Sequence, residues 1–250
     1  MTFEQFCQGD SLLHRADPCG KIISAAILSI TLASCQHLVT AFAGLVIAFF
    51  LVLTARLSVA VVTQRLLLVN TFNALLWLLL PLTYAQPPFF QIAGWTFSRP
   101  GLELVALITV KSNGILLVFI SLLATSTVAE LGNGLQRLYL SPRLCMILLF
   151  SYRYITVLHG EYKRLQRAAR LRCFTPGTNI HTYKSYGHLL GMLLVKSWNR
   201  AENVNNAMIL RGFTGTFKTI RHHEMARNDY IILTGSLLVG LGLFFLDTTM

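Results

Sequence analysis

From Ile22 to Thr54 the chain runs for 33 residues without an aspartate, glutamate, lysine or arginine, interrupted only by Gln36 and His37. One straight helix of that length would reach about 50 Å, against a hydrocarbon core of about 30 Å. Two short crossings hinged at Cys35-Gln36-His37 therefore fit better. Composition points the same way: 54% of the 250 residues are hydrophobic, 12% are charged, and the mean hydropathy is +0.58. A soluble domain of this size cannot hide so much apolar surface. The expected fold class is all-α, a polytopic integral membrane protein with five or six transmembrane helices.

The remaining spans follow in order. Arg56 reads as an interface anchor, and Arg65 opens a crossing over about Leu66 to Leu82. Asn70 and Asn73 share one face of it and read as hydrogen-bonding glue between helices. Pro81, Pro87 and Pro88, with Tyr84 and Trp95, mark an aromatic, proline-broken loop to Pro100 at the far membrane face. Glu103 to Ala124 is the next crossing. It holds Lys111, and a lysine at that depth needs a partner: Glu103 is two turns away, and the protein interior or a neighbouring subunit are the alternatives. Thr127 and Glu130 form a capping box for a short helix to about Tyr139, and Ser141-Pro142 starts another. Tyr230 to Leu246 is the terminal span.

The polar lead, Met1 to Gly20, lacks the basic start and apolar core of a cleaved signal and reads as a short interfacial helix. Its His14 and Asp17 would share a helix face, but Pro18 discourages a continuous helix there. Two ligands also seldom hold a transition metal, so capping and lipid-headgroup contact are expected of them. The seven histidines show no spacing of metal ligands, and the five cysteines, Cys7, Cys19, Cys35, Cys145 and Cys173, form no Cys-x-x-Cys pair. Neither a metal site nor a disulfide framework is expected.

The formal net charge of +11 is confined to one block. Between Arg143 and Arg227 stand 14 Lys and Arg against Glu161, Glu202 and Glu224, while elsewhere 7 basic and 7 acidic residues cancel. Such a block between apolar regions belongs on the cytoplasmic side of a membrane and is suited to lipid headgroups rather than nucleic acid. Three regions result: an N-terminal transmembrane region, 1–142; a basic cytoplasmic region, 143–227, whose first part is membrane-embedded; and a C-terminal transmembrane helix, 228–250.

Within the basic block two segments repeat. Ala168-Ala169-Arg170-Leu171-Arg172-Cys173-Phe174 and Ala207-Met208-Ile209-Leu210-Arg211-Gly212-Phe213 both read Ala-x-x-x-Arg-(Cys or Gly)-Phe, 39 residues apart. Upstream, Ile155, Leu158, Tyr162, Leu165 and Ala169 step by three and four. Leu194, Ser197, Ala201, Val204 and Met208 repeat that phase at the same offset. Each series falls along one stripe of a helix that delivers an arginine at its last turn. A single such arginine would read as bonding the last carbonyls of its own helix. Two in phase look like plugs for two equivalent sockets, a role suited to a planar, permanently charged guanidinium.

The paired Ala-x-x-x-Arg motifs resemble those of the transmembrane T component of energy-coupling factor (ECF) transporters. The stretches from Ser185 to Leu194, Asn199 to Val204 and Ala207 to Phe213 are most similar to its cobalt-type branch, CbiQ. His14-Arg15-Ala16-Asp17-Pro18-Cys19-Gly20-Lys21 resembles the family's His-x-x-Asp-Pro-x-x-Lys approach to the first membrane helix. Cys173 departs from the pattern, since glycine is usual there, and the departure bears on how the first helix ends.

The resemblance implies a scaffold in the cell (inner) membrane that works with two ATP-binding cassette ATPases and a substrate-binding membrane S component. ATP and magnesium would sit on the ATPases, and no cofactor on this chain. Cobalt is the expected substrate, with nickel or a biotin-type vitamin as alternatives. Ala168, Arg172, Phe174, Ala207, Arg211, Gly212 and Phe213 would meet the ATPases, and Tyr162, Leu165, Ala169, Ala201, Val204 and Met208 would pack where the two helices cross or meet them.

No enzyme of its own is expected. His222-His223-Glu224-Met225-Ala226-Arg227 lacks the second histidine of a zinc-protease motif, and Gly20-Lys21 lacks the rest of a phosphate loop. A membrane-bound enzyme acting on anionic lipid or a phosphorylated substrate would explain the basic block, but not the repeat within it.

Overall fold

A computed structural model describes residues 16–83, 88–92, 95–138, 140–215 and 227–249, with side chains from 81–83, 88–92, 95–99 and 227–228 left aside. The lead expected to lie at the interface falls mostly outside these residues, as do His14 and the 222–226 histidine segment. Two compact units emerge, Met1–Leu138 with Arg221–Met250, and Tyr139–Ile220.

The first unit is a helical bundle. Its first helix, α1, spans Pro18–Ser34, starting with Pro18 in the first turn where a missing N–H costs nothing. Cys35 ends it, and α2 runs Leu38–Ala55, so the uncharged run breaks at the expected hinge. Arg56 closes α2 in a left-handed conformation, φ 50°. The next helix, α3 (Val59–Thr83), begins earlier than expected and carries Arg65 inside it rather than at its mouth. The proline-broken loop contains a two-stranded hairpin, β1 (Pro88–Ile92) and β2 (Trp95–Ser98), paired antiparallel. Then come α4 (Arg99–Leu122), the short α5 (Val128–Arg137) and, after the second unit, α8 (Arg227–Thr249).

Among the described residues four helices, α2, α3, α4 and α8, are long and apolar enough to cross a membrane, and α1 is a shorter apolar helix. The expected count of five or six needs α1 and, for a sixth, the apolar start of the second unit. Helix α1 packs on α8, α4 and α5, while α4 also packs on α2 and α3. Leu28, Leu32, Val52, Leu117 and Ile120 lie in the shared core. A Cβ on Gly44 would collide with the Leu32 side chain, and one on Gly134 would come 3.1 Å from the Cys19 backbone nitrogen, so both glycines set close helix approaches. Phe49, Phe50, Leu68 and Phe245 point outward, as lipid-facing side chains do.

Several polar groups in this unit turn inward and pair. The capping box is present: Thr127 Oγ1 accepts from the Glu130 N–H at 3.2 Å, and the Thr127 N–H donates to Glu130 Oε2 at 3.1 Å. Asp17 stands at the N-cap of α1 but does not cap with its side chain. It is buried, its carboxylate is 3.3 Å from Arg137 Nη1, and its N–H donates to Asp229 Oδ1 at 2.8 Å. Tertiary pairing thus displaces the expected capping and headgroup contact. The ammonium of Lys21, 1% exposed, donates to Ser126 Oγ at 2.7 Å. The Asp-Pro-x-x-Lys segment is therefore a knot binding the start of α1 to α5, α8 and the α4–α5 turn.

A second knot closes the far end of α1. Asp247, near the end of α8, accepts from the N–H groups of Gln36 and His37 at 2.9 and 3.1 Å and from Thr40 Oγ1 at 2.7 Å. A carboxylate there satisfies the open N–H groups at the start of α2 and complements its dipole. Lys111 Nζ donates to the Ala33 carbonyl at 3.0 Å, at the C-terminus of α1, where a cation is favoured. Its described bond goes to that carbonyl and not to Glu103. Asn73 donates to Ser112 Oγ at 2.9 Å and Asn113 to Asn70 Oδ1 at 2.9 Å, joining α3 to α4 as expected of intramembrane amides.

The second unit is a pair of long helices, α6 (Pro142–Leu171) and α7 (Ile180–Leu210). Ser141 and Pro142 start α6 as expected. At 30 residues it is about 45 Å long. Helix α7 begins at Ile180 instead of near Tyr186. The connecting loop folds back on its first turn, where the buried Thr182 Oγ1 accepts from the Gly177 N–H at 3.2 Å.

Candidate functional site

Both arginine-ended helices stop in the same way. In α6, Arg172 is the C-cap, the Cys173 N–H donates to the Arg170 carbonyl at 3.0 Å and the Phe174 N–H donates to the Ala169 carbonyl at 3.1 Å. In α7, Arg211 is the C-cap, Gly212 N–H donates to Ile209 at 3.0 Å and Phe213 N–H donates to Met208 at 3.0 Å. These paired bonds define the Schellman motif, which needs a left-handed residue just after the cap. Gly212 supplies it at φ 76°, and Cys173 adopts the same region at φ 60°. The departure at Cys173 leaves the helix end unchanged, at the cost of holding a Cβ in a conformation that glycine enters freely.

The two caps aim their arginines outward. Arg172 and Arg211 are exposed, as are Ala168 and Ala207. Phe174 and Phe213 are half-buried and turn back instead. The Phe174 ring meets Tyr186 edge to face, with centroids 5.7 Å apart. Phe213 lines a crevice between α6 and α7. Each phenylalanine therefore anchors its tip to the helix pair. Since Phe174 lies against Tyr186, and Arg211 follows 25 residues later on α7, the tips stand roughly 37 Å apart along that helix.

Of the stripe residues, Ile155 and Leu158 of α6 face Ser197, Ala201, Val204 and Met208 of α7 across the crevice, whose volume is about 570 Å³. Tyr162, Leu165 and Ala169 are half-buried further along α6, and Leu194 is 70% exposed, outside the crevice. Lys196 on α7 donates to Glu161 on α6 at 3.4 Å. The described contacts across the pair are thus the Glu161–Lys196 ion pair, the Phe174–Tyr186 ring contact and an open apolar seam. Among the described residues no group of three or more His, Cys, Asp or Glu could hold a metal ion.

Sequence reasoning passed over the residues just before the arginines. Leu171 and Leu210 are 87% and 88% exposed. The signal was present, because Leu-Arg recurs at the offset of 39. The knot around Lys21 was also underread: the short Asp-Pro-x-x-Lys segment gives no hint of its partners, which lie about a hundred residues and more away.

A family profile described as "Cobalt transport protein", CbiQ, matches residues 9–222. The chain belongs to the CbiQ family. The match takes in α1 to α7 and both capped tips. Among curated proteins the chain is 25% identical over 252 residues to the energy-coupling factor transporter transmembrane protein EcfT of Brevibacillus brevis, covering 94% of each. It is 26% identical to the protein of the same name from Bacillus subtilis, covering 98% of each, and 26% identical to that from Listeria innocua, covering 86% of this chain and 85% of the relative. CbiQ membership and the membrane-spanning helices agree with the reading of the chain as an ECF-type T component.

Proposed function

We propose that the chain is the coupling subunit of an ATP-driven ECF-type transporter in the inner membrane, importing a transition metal. Two ATP-binding cassette ATPases would seat on the tips of α6 and α7, holding Arg172 and Arg211 in grooves. A substrate-binding S component would complete the complex. Cobalt is the first substrate to test, with nickel or a biotin-type vitamin next, and its binding site belongs to the S component. ATP and magnesium sit on the ATPases.

One observation carries this reading: two helix C-termini, built by the same cap at a fixed offset, each present an exposed arginine. A guanidinium fork in an exposed, backbone-fixed position suits capture by carboxylate or carbonyl oxygens of a partner. The open apolar seam between α6 and α7 lets partners move the helices against one another. Nucleotide-driven motion of the ATPases would then pass along α6 and α7 towards the S component.

The test is purification of the native complex in mild detergent. The Arg172→Ala, Arg211→Ala double variant should lose the ATPase subunits, and with them ATP-dependent metal uptake. Normal ATPase content and uptake in that variant would sink the coupling role. The isolated chain should hydrolyse no ATP, and turnover that copurifies strictly with it would overturn that part.

A further inference from the structure

Leu171 and Leu210 are the most exposed large apolar side chains among the described residues, at 87% and 88%. They hold equivalent places, each the last helical residue before a C-cap arginine. Lipid does not explain them. Arg167, Arg170 and Arg172 stand close to Leu171 in sequence, and Leu210, with the exposed Ile209 before it, lies between Asn205-Asn206 and Arg211, whereas insertion into a bilayer needs a continuous apolar face. Packing within the helix pair does not explain them either, because that work falls to Phe174 and Phe213. What remains is an apolar group held rigidly beside a cationic fork by the same cap, twice.

We propose that Leu171 and Leu210 are apolar plugs, each filling a pocket one side chain deep on an ATPase subunit, while the neighbouring arginine is held by acidic or carbonyl oxygens at the pocket rim. The inference rests on the coupling reading above and adds the partner's chemistry: two like sockets, each pairing an apolar floor with an anionic edge. Leucine then supplies affinity and size selection, and arginine supplies orientation. A desolvated apolar anchor with a charged neighbour is the usual make-up of a binding hot spot.

The test uses the purified transporter complex and its separated ATPase subunits. Leu171→Ala and Leu210→Ala should each lower the ATPase content from two towards one per complex and weaken rebinding by about ten- to a hundredfold, the effect of losing a buried leucine side chain. Leu→Met at both positions should bind nearly as the parent does, and Leu→Asp should not bind. Because both side chains are exposed, these changes leave the melting temperature of the isolated subunit unchanged. Cys173 offers an independent readout at the α6 tip: in a Cys7→Ser background its exposed thiol should react quickly with maleimide in the isolated subunit and slowly in the complex, and Leu171→Ala should restore fast labelling while Leu210→Ala, at the other tip, should not. If the leucine variants bind and protect Cys173 normally while the arginine variants fail, the plug is overturned and coupling through arginine stands. If neither set matters, both readings fall.

Discussion

The two units use polar residues in opposite ways. In the bundle, Asp17, Lys21 and Asn73 are buried and engaged, and Asp247 spends its oxygens on the α1–α2 hinge. In the helix pair, Arg172, Arg211, Lys163 and Arg170 are exposed. The contrast follows from solvent. A membrane-embedded bundle must satisfy polar groups internally. Where the helix pair carries its basic residues, cations left outward towards water or partners cost little. The bundle is therefore read through its bonds, and the helix pair through what it leaves unbonded.

The same substitution should have opposite effects in the two units. Gly44→Ala forces a Cβ onto Leu32 and should destabilise the protein by about 1–3 kcal/mol, seen as a lower melting temperature in detergent. Gly191→Ala, in α7 with nothing near its Cβ position, should stabilise the helix by up to about 1 kcal/mol. Matching signs would break the comparison.

Removing the carboxylate at the hinge comes next. Asp247→Ala strips the start of α2 of its cap and should cost about 1–2 kcal/mol, with hydrogen exchange rising first at Gln36 and His37. Unchanged exchange there would show that the knot is incidental.

The two tips can then be compared with each other. Cys173→Gly should raise stability by about 1 kcal/mol and leave transport intact, whereas Gly212→Ala should lower stability by a similar amount, because only one of the two caps now holds a side chain in the left-handed region. Loss of transport on Cys173→Gly would assign the thiol a role of its own. Smallest of all, Glu161→Gln should change stability by about 0.5 kcal/mol, because its two partners, Lys196 and Arg164, are themselves exposed. A larger loss would mean that the crossing of α6 and α7 is held more firmly than its contacts indicate.

Much of the architecture was legible because it is local. The uncharged run placed α1 and α2 and the hinge between them. Thr127 and Glu130 announced α5, and Ser141-Pro142 announced α6, since capping chemistry acts over three or four residues. The boundaries that were misread turn on bonds and helix extents that hydrophobic periodicity does not carry. Helix α7 starts at Ile180 because Thr182 and Gly177 tie the loop to its first turn, and α3 carries Arg65 within it, where an interface position had been expected.

By itself the sequence determined that this is a helical membrane protein with a basic segment, and that two helices in that segment end alike, because periodicity, charge and offset are properties of the chain in one dimension. Only the tertiary structure decided that Cys173 completes the same cap as Gly212, that Phe174 and Phe213 turn inward while Leu171 and Leu210 stay out, and that Asp17, Lys21 and Asp247 tie α1 and its hinge to α5, α8 and the α4–α5 turn. The physical reason is that a cap conformation, a side chain's exposure and the partner of a buried charge depend on groups brought together in space, some more than two hundred residues apart.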